Sequence, residues 1–130
     1  MIRVWRSTVA MAVLLAYGGT ASAQWQKVGE DKIATTYADP ATVERIGDLA
    51  KMRSLLDYRS FQRMVEVGYF SQKILAEYDC AGRRFRGLSV ALHADKMGDG
   101  KVIYADDTPH AWESVVGGTT TEALWTLACQ

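Results

Sequence analysis

Polar and apolar positions alternate along most of this chain, and the alternation runs longest over residues 69–80. There Phe70, Ile74, Ala76, Tyr78 and Cys80 point one way, and Lys73, Glu77 and Asp79 the other. A period of two marks a strand with one apolar face. The pattern recurs over 49–58, where Ala50, Met52, Ser54, Leu56 and Tyr58 oppose Lys51, Arg53 and Asp57. Residues 84–92 place Leu88, Val90 and Leu92 inward, with Ser89 and His93 outward. Shorter runs at 25–28, 32–38 and 101–105 read as further strands, and 112–116 is apolar enough for one more. Gly29-Glu30-Asp31, Gly47-Asp48, Ala81-Gly82 and Met97-Gly98-Asp99-Gly100 are the turn signals between them. Asp39-Pro40 is expected to end the 32–38 strand, because Pro40 has no N–H to give a ladder. Residues 41–46 are then expected to make one helical turn, and the polar stretch opening 59–68 a long connection with short extended pieces.

The period changes after Gly117-Gly118. Leu124, Leu127 and Ala128 stand at i, i+3 and i+4, with Trp125 and Cys129 four apart on one flank. Thr119 and Glu122 fit a capping box, in which each side chain serves the other residue's backbone N–H. An amphipathic helix must bury its apolar stripe, and a sheet with one wet face offers the surface. The predicted fold is α+β: an antiparallel meander sheet of five to seven strands with a C-terminal helix packed on one face. The face bearing Ile74, Ala76 and Tyr78 is expected beneath the helix, and the face bearing Lys73, Glu77 and Asp79 open.

Residues 1–23 look like a secretory signal rather than structure. Arg3 and Arg6 precede an apolar run of nine residues, 9–17, and Ala21-Ser22-Ala23 fits the small-residue cleavage rule. The run is shorter than the about 20 residues needed to cross a bilayer, so no membrane span is expected after cleavage. No cysteine near the cleavage site offers a lipid acceptor. Residues 24–130 are then a single domain, periplasmic or secreted. Export also bears on Cys80 and Cys129, the only two cysteines. In an oxidising compartment such a pair is expected to form a structural disulfide, here clamping the helix to the sheet. The leader removes two arginines, leaving 13 basic against 15 acidic residues. That balance gives no pull toward nucleic acid.

The residues offer little catalytic chemistry. His93 and His110 are the only histidines, and neither joins a set at metal-ligand spacing. Ser89 and His93 share a strand face without a nucleophile-elbow sequence. Asp95 to Gly100 lacks the ligand series of a calcium loop and reads as a hairpin turn. No catalytic residue, metal or cofactor is expected. Arg83, Arg84 and Arg86 form the one dense basic patch, suited either to gripping an acidic partner or to pairing with Glu77 and Asp79 across the turn.

The chain resembles the surface-adhesin protein E family. The resemblance rests on an early Trp25 strand, Tyr37-Ala38-Asp39, Leu56-Asp57-Tyr58, Tyr69-Phe70-Ser71, and Glu77-Tyr78-Asp79-Cys80 followed by Arg83-Arg84. It continues in Met97-Gly98 with Gly100, in Trp112 and in Ala128-Cys129. It implies an antiparallel sheet with a small helix fixed by a disulfide. It also implies adhesion to host cells and matrix proteins, without catalysis. The expected role is an exported binding domain for a protein or matrix macromolecule, with Arg83, Arg84 and Arg86 as partner-binding residues; an oligomer is compatible with it. The alternative is a periplasmic accessory or inhibitor-type domain that binds an enzyme or a cell-wall ligand.

Overall fold

The computed structural model describes residues 23–130, so the signal segment lies outside the described residues, apart from Ala23 at its end. Seven strands and one helix follow: β1 Gln26–Glu30, β2 Ala34–Ile46, β3 Leu49–Met64, β4 Val67–Asp79, β5 Arg84–His93, β6 Val102–Asp106, β7 Glu113–Ser114 and α1 Thr120–Ala128. The sheet is an open antiparallel meander in the order β1 to β6, with β7 pairing β5 beside β6. Each strand from β1 to β6 thus pairs with its chain neighbour, as expected of consecutive segments.

The helix covers one end of one face. Ala128 packs on Ala38, Ala50, Met52, Ala76 and Tyr78, all at 5% exposure or less. Leu124, Trp125 and Leu127 are partly buried around that core. Thr119 accepts a hydrogen bond from the Glu122 N–H at 3.2 Å. The Glu122 carboxylate in turn accepts from the Gly118 N–H, one residue earlier than a reciprocal box requires. The helix is fastened at two more points. Trp125 Nε1 donates to the Asp79 carbonyl at 2.9 Å, and Cys129 is bonded to Cys80. The cysteine pairing read from the sequence is therefore present, with Cα atoms 5.5 Å apart.

Three expectations fail, each for a physical reason. Pro40 does not end β2. It sits in a register break between Asp39 and Glu44, where the ladder to β3 asks nothing of it, and pairing with β1 has stopped at Ala38. Thr42 bridges the gap, donating to the Asp39 carbonyl at 2.6 Å and accepting from the Arg53 N–H at 2.9 Å. Residues 41–46 are accordingly strand and not helix. Residues 59–68 are no loop either: β3 runs on to Met64, Val65 and Glu66 turn, and β4 returns. The third failure concerns the far face. Glu77 is 6% exposed, Asp79 9% and Leu55 0%, so that face is not open. Arg84 and Arg86 lie over Asp79 and Glu77, and the β5–β6 connection folds back over the Leu55 and Ser71 part through a 3-10 turn at Lys96–Gly98. Gly98 N–H donates to Ser71 Oγ at 2.8 Å, Ser71 Oγ donates to the Asp95 carbonyl at 2.6 Å, and Met97 N–H donates to Asp57 at 2.7 Å. Those bonds satisfy polar groups that burial would otherwise strand. His93, expected outward, is 6% exposed beneath the same connection, its Nδ1 3.4 Å from the Gly100 carbonyl.

Candidate functional site

The arginines lie together where β4 turns into β5, and each already has a partner. Arg84 donates to Asp79 Oδ2 from Nε and Nη2 at 3.1 and 2.8 Å. Arg86 donates in the same way to Glu77 Oε1 at 3.0 and 2.8 Å. Both pairs sit on directly opposed positions of the ladder. Trp112, from the stretch that leads into β7, stacks over both guanidinium groups, with its ring centre 4.8 Å from Arg84 Cζ and 4.6 Å from Arg86 Cζ. Arg83 turns toward the helix. It reaches Glu122 at 2.6 Å and stacks on Trp125 at 4.7 Å. The Arg84 guanidinium, together with the Gly82 and Ala81 N–H groups, holds the Asp79 carboxyl below the usual carboxylate range. The edge is thus a ladder of alternating guanidinium, carboxylate and indole. Side-chain exposure falls from 50% at Arg83 through 47% at Arg84 to 31% at Arg86.

A second feature was not anticipated. The helix stops short, and the rest of its own sheet face is a trough of about 550 Å³. The floor is read from the ladder. Ser54, Ile74, Val90 and Asp106 are cross-strand partners in sequence across β3, β4, β5 and β6. Tyr78, Phe85 and Glu113 form a parallel row nearer the helix. Thr120, Thr121 and Leu124 wall it at the helix start, and Asp31 closes the β1–β2 end. Burial pushes the Tyr78 phenol well above its ordinary pKa, so it stays a neutral donor throughout the physiological range. Two signals in the sequence pointed here. Ser54 and Gln72 occupy inward positions of otherwise apolar rows, and Gly87 interrupts a strand. Neither is informative until the helix is known to stop short of them.

The third feature is the arm formed by the outer ends of β3 and β4. β2 pairs β3 only as far as Tyr58, and β5 pairs β4 only as far as Ser71, so the arm beyond is two-stranded. Phe61 packs edge-on to Phe70 at 5.4 Å, and Tyr58 to Tyr69 at 5.6 Å. The Phe61 ring lies across Gly68, a position where any Cβ would collide with it. Val65, at the tip, is 91% exposed with φ at 57°. Among the described residues no helix is long and apolar enough to cross a membrane, and no group of three or more His, Cys, Asp or Glu could hold a metal ion.

Comparison with known proteins fits this geometry. The sequence profile of the Surface-adhesin protein E family matches residues 25–130, nearly the whole described chain, and the chain belongs to that family. Among solved structures it is similar to Haemophilus influenzae protein E, with a TM-score of 0.65 at 10% sequence identity. That match covers 85% of this chain and 86% of the other. At such identity the likeness speaks for the fold. No curated protein matches.

Proposed function

We propose that this member of the Surface-adhesin protein E family is an exported, non-enzymatic binding domain. It recognises a protein or matrix partner, and the Arg83–Arg86 edge is part of the contact. The observation that carries the reading is the family match over residues 25–130. The form of the edge supports it. Arginine and tryptophan are both enriched at protein interfaces, and a stacked guanidinium loses little further freedom when it forms a hydrogen bond. Arg83 is half exposed and pairs with a partly exposed Glu122, so an acidic partner group exchanges easily into its place.

The test has two steps. Fractionation of cells producing the full chain is expected to find the protein outside the cytoplasm, and cytoplasmic retention overturns the reading of export. Pull-down from host matrix extracts is then compared between the exported protein and its Arg83→Ser variant, at low and at high salt. Weaker capture by the variant, and weaker capture by the wild type as salt rises, is the expected result. Equal capture at low salt removes Arg83 from the contact. Arg86 is a poor choice for this purpose, since its loss strands the nearly buried Glu77 and tests folding instead.

A further inference from the structure

We propose that the cleft beside Asp39 receives the α-ammonium group of Gln24, created when the leader is cleaved after Ala23, and that this pairing shields Gln24 from cyclisation to pyroglutamate. The inference goes beyond the binding reading above and rests only on its first half, export with removal of the leader.

Asp39 is 5% exposed, and its Oδ1 is buried without a hydrogen-bond partner among the described residues. A buried carboxylate oxygen in that state is costly, and native folds supply such groups with donors or a countercharge. The ladder around it does not. Asp39 is the last residue of β2 to hold register with β3 before the break, and the Thr42 hydroxyl goes to its backbone carbonyl, not to its carboxylate. Arg53 stands opposite Asp39 on β3, but it is exposed and leaves Oδ1 unmatched. β1 carries one cation, Lys27, which pairs with Glu30 at 2.7 Å.

The chain itself brings the missing donor. A cleft of about 380 Å³ opens at this point, with Gln24 and Trp25 on one side and Asp39 and Pro40 on the other. Neither lysine nor arginine is among the residues lining it. The β1–β2 ladder stops at Gln26 opposite Ala38. Continued past that pair, the register sets Trp25 beside Asp39 and Gln24 beside Pro40. Strand spacing then puts the Gln24 and Asp39 backbones roughly 6 Å apart, a gap that the free bonds of a chain end can close. Before cleavage the Gln24 nitrogen is an uncharged amide with one N–H. Hydrolysis breaks its bond to the Ala23 carbonyl carbon. The water leaves its oxygen on the Ala23 carboxylate and both hydrogens on the nitrogen, which becomes an ammonium with three donors and a unit charge. Paired with Asp39, that ammonium keeps its proton. Cyclisation needs the opposite: a neutral amine attacks the Gln24 side-chain amide carbon, the lactam C–N bond forms and ammonia leaves. The carboxylate therefore protects the chain end as the chain end satisfies the carboxylate.

The experiment uses protein exported by cells producing the full chain. Intact mass gives the first residue and distinguishes an open glutamine from pyroglutamate, and the pH dependence of acetylation by acetic anhydride gives the pKa of the α-amine. The chain is expected to begin at an open Gln24 whose amine titrates about one unit or more above the roughly 7.7–8.0 ordinary for an α-amino group. In Asp39→Asn the value should return to that ordinary range, and cyclisation on storage at neutral pH should run severalfold faster. Arg53→Gln should behave as the wild type does. An ordinary value in the wild type overturns the pairing, and that measurement stands without any variant should Asp39→Asn fail to fold. A raised value that survives Asp39→Asn, or one that Arg53→Gln abolishes, assigns the amine to another environment and overturns it as well. Complete cyclisation of the wild type overturns the protection. An extracytoplasmic protein that begins at a residue other than Gln24 overturns this inference and leaves export standing, whereas retention in the cytoplasm overturns export itself.

Discussion

The two ends of the β3–β4 hairpin are made of the same pair of strands in opposite surroundings. At the inner end Met52, Ala76 and Tyr78 are all but inaccessible, beneath a helix held by a disulfide and an indole hydrogen bond. At the outer end Phe61 is 52% exposed and Val65 91%. The inner end is held by burial, the outer by its backbone ladder and two aromatic pairs. Strand geometry alone therefore does not decide where stability resides. The layer stacked on the sheet does, since burial supplies most of the favourable free energy.

The largest test of that contrast is removal of the clamp. Cys129→Ser is expected to cost about 2–5 kcal/mol in global unfolding by denaturant, since a closed loop of this length no longer restricts the unfolded chain. Protection of the arm's amides against hydrogen exchange should change less than that of β3 residues under the helix. A like-for-like pair comes next. Met52→Ala should lose about 2–5 kcal/mol as a buried truncation. Met64→Ala, at a residue 38% exposed, should stay within about 0.5 kcal/mol. Equal losses would mean that the outer end carries as much of the fold as the inner.

Arg86→Ser is expected to cost about 2 kcal/mol, because it leaves the Glu77 carboxylate nearly buried without its guanidinium. Arg86→Lys should recover part of that and lose the stack on Trp112. At the tip the sign reverses. Val65 holds a left-handed backbone conformation that β-branched residues resist, and its exposed side chain packs on little. Val65→Gly should therefore raise stability by about 1 kcal/mol, read as a shift in the urea midpoint. The smallest effect is that of pH at the inner end. Asp79 is held below its ordinary carboxylate pKa by Arg84 first and by the Gly82 N–H next. A carboxylate depressed in the folded state stabilises fully above its unfolded pKa, and the contribution is lost as pH falls through the folded value. Melting temperature should be level from neutral pH down to about 4 and decline below it, with a shallower decline in Asp79→Asn.

The same contrast separates what could be read in the sequence from what could not. The inner end was legible: alternation over Ile74 to Cys80, a changed period at Leu124, Leu127 and Ala128, and two cysteines that join them. The outer end was not, because Arg59 to Arg63 face water on a two-stranded arm and have no core face to impose alternation. Pro40 misled because a bulge took up the hydrogen bond it lacks, and no local pattern announces a register break 11 residues from its compensating bond at Arg53. The burial of Glu77 and Asp79 depends on Trp112, Arg84 and Arg86 arriving from later in the chain. Charged residues at alternating positions read as a wet face unless their partners are known. The trough stayed hidden for a related reason, since it is defined by where the helix ends and not by any one segment.

The docking of α1 also sets a timetable. Its first turn lies against β1, where a Cβ on Gly29 would come within 2.8 Å of Thr120 Oγ1, so the last described element closes onto the first. Cys80 and Cys129 are separated by 49 positions. At a synthesis rate of about 5–20 residues per second, Cys80 exists as a lone thiol for roughly 2–10 s before its partner is made. Over the same interval Met52 and Tyr78 are present without the helix that shields them. The meander of neighbouring strands can pair meanwhile, but its apolar face stays uncovered. Those seconds leave the apolar face of the growing chain free to stick to another copy. A variant with the helix and its cysteine moved upstream would shorten the interval in proportion to the residues removed.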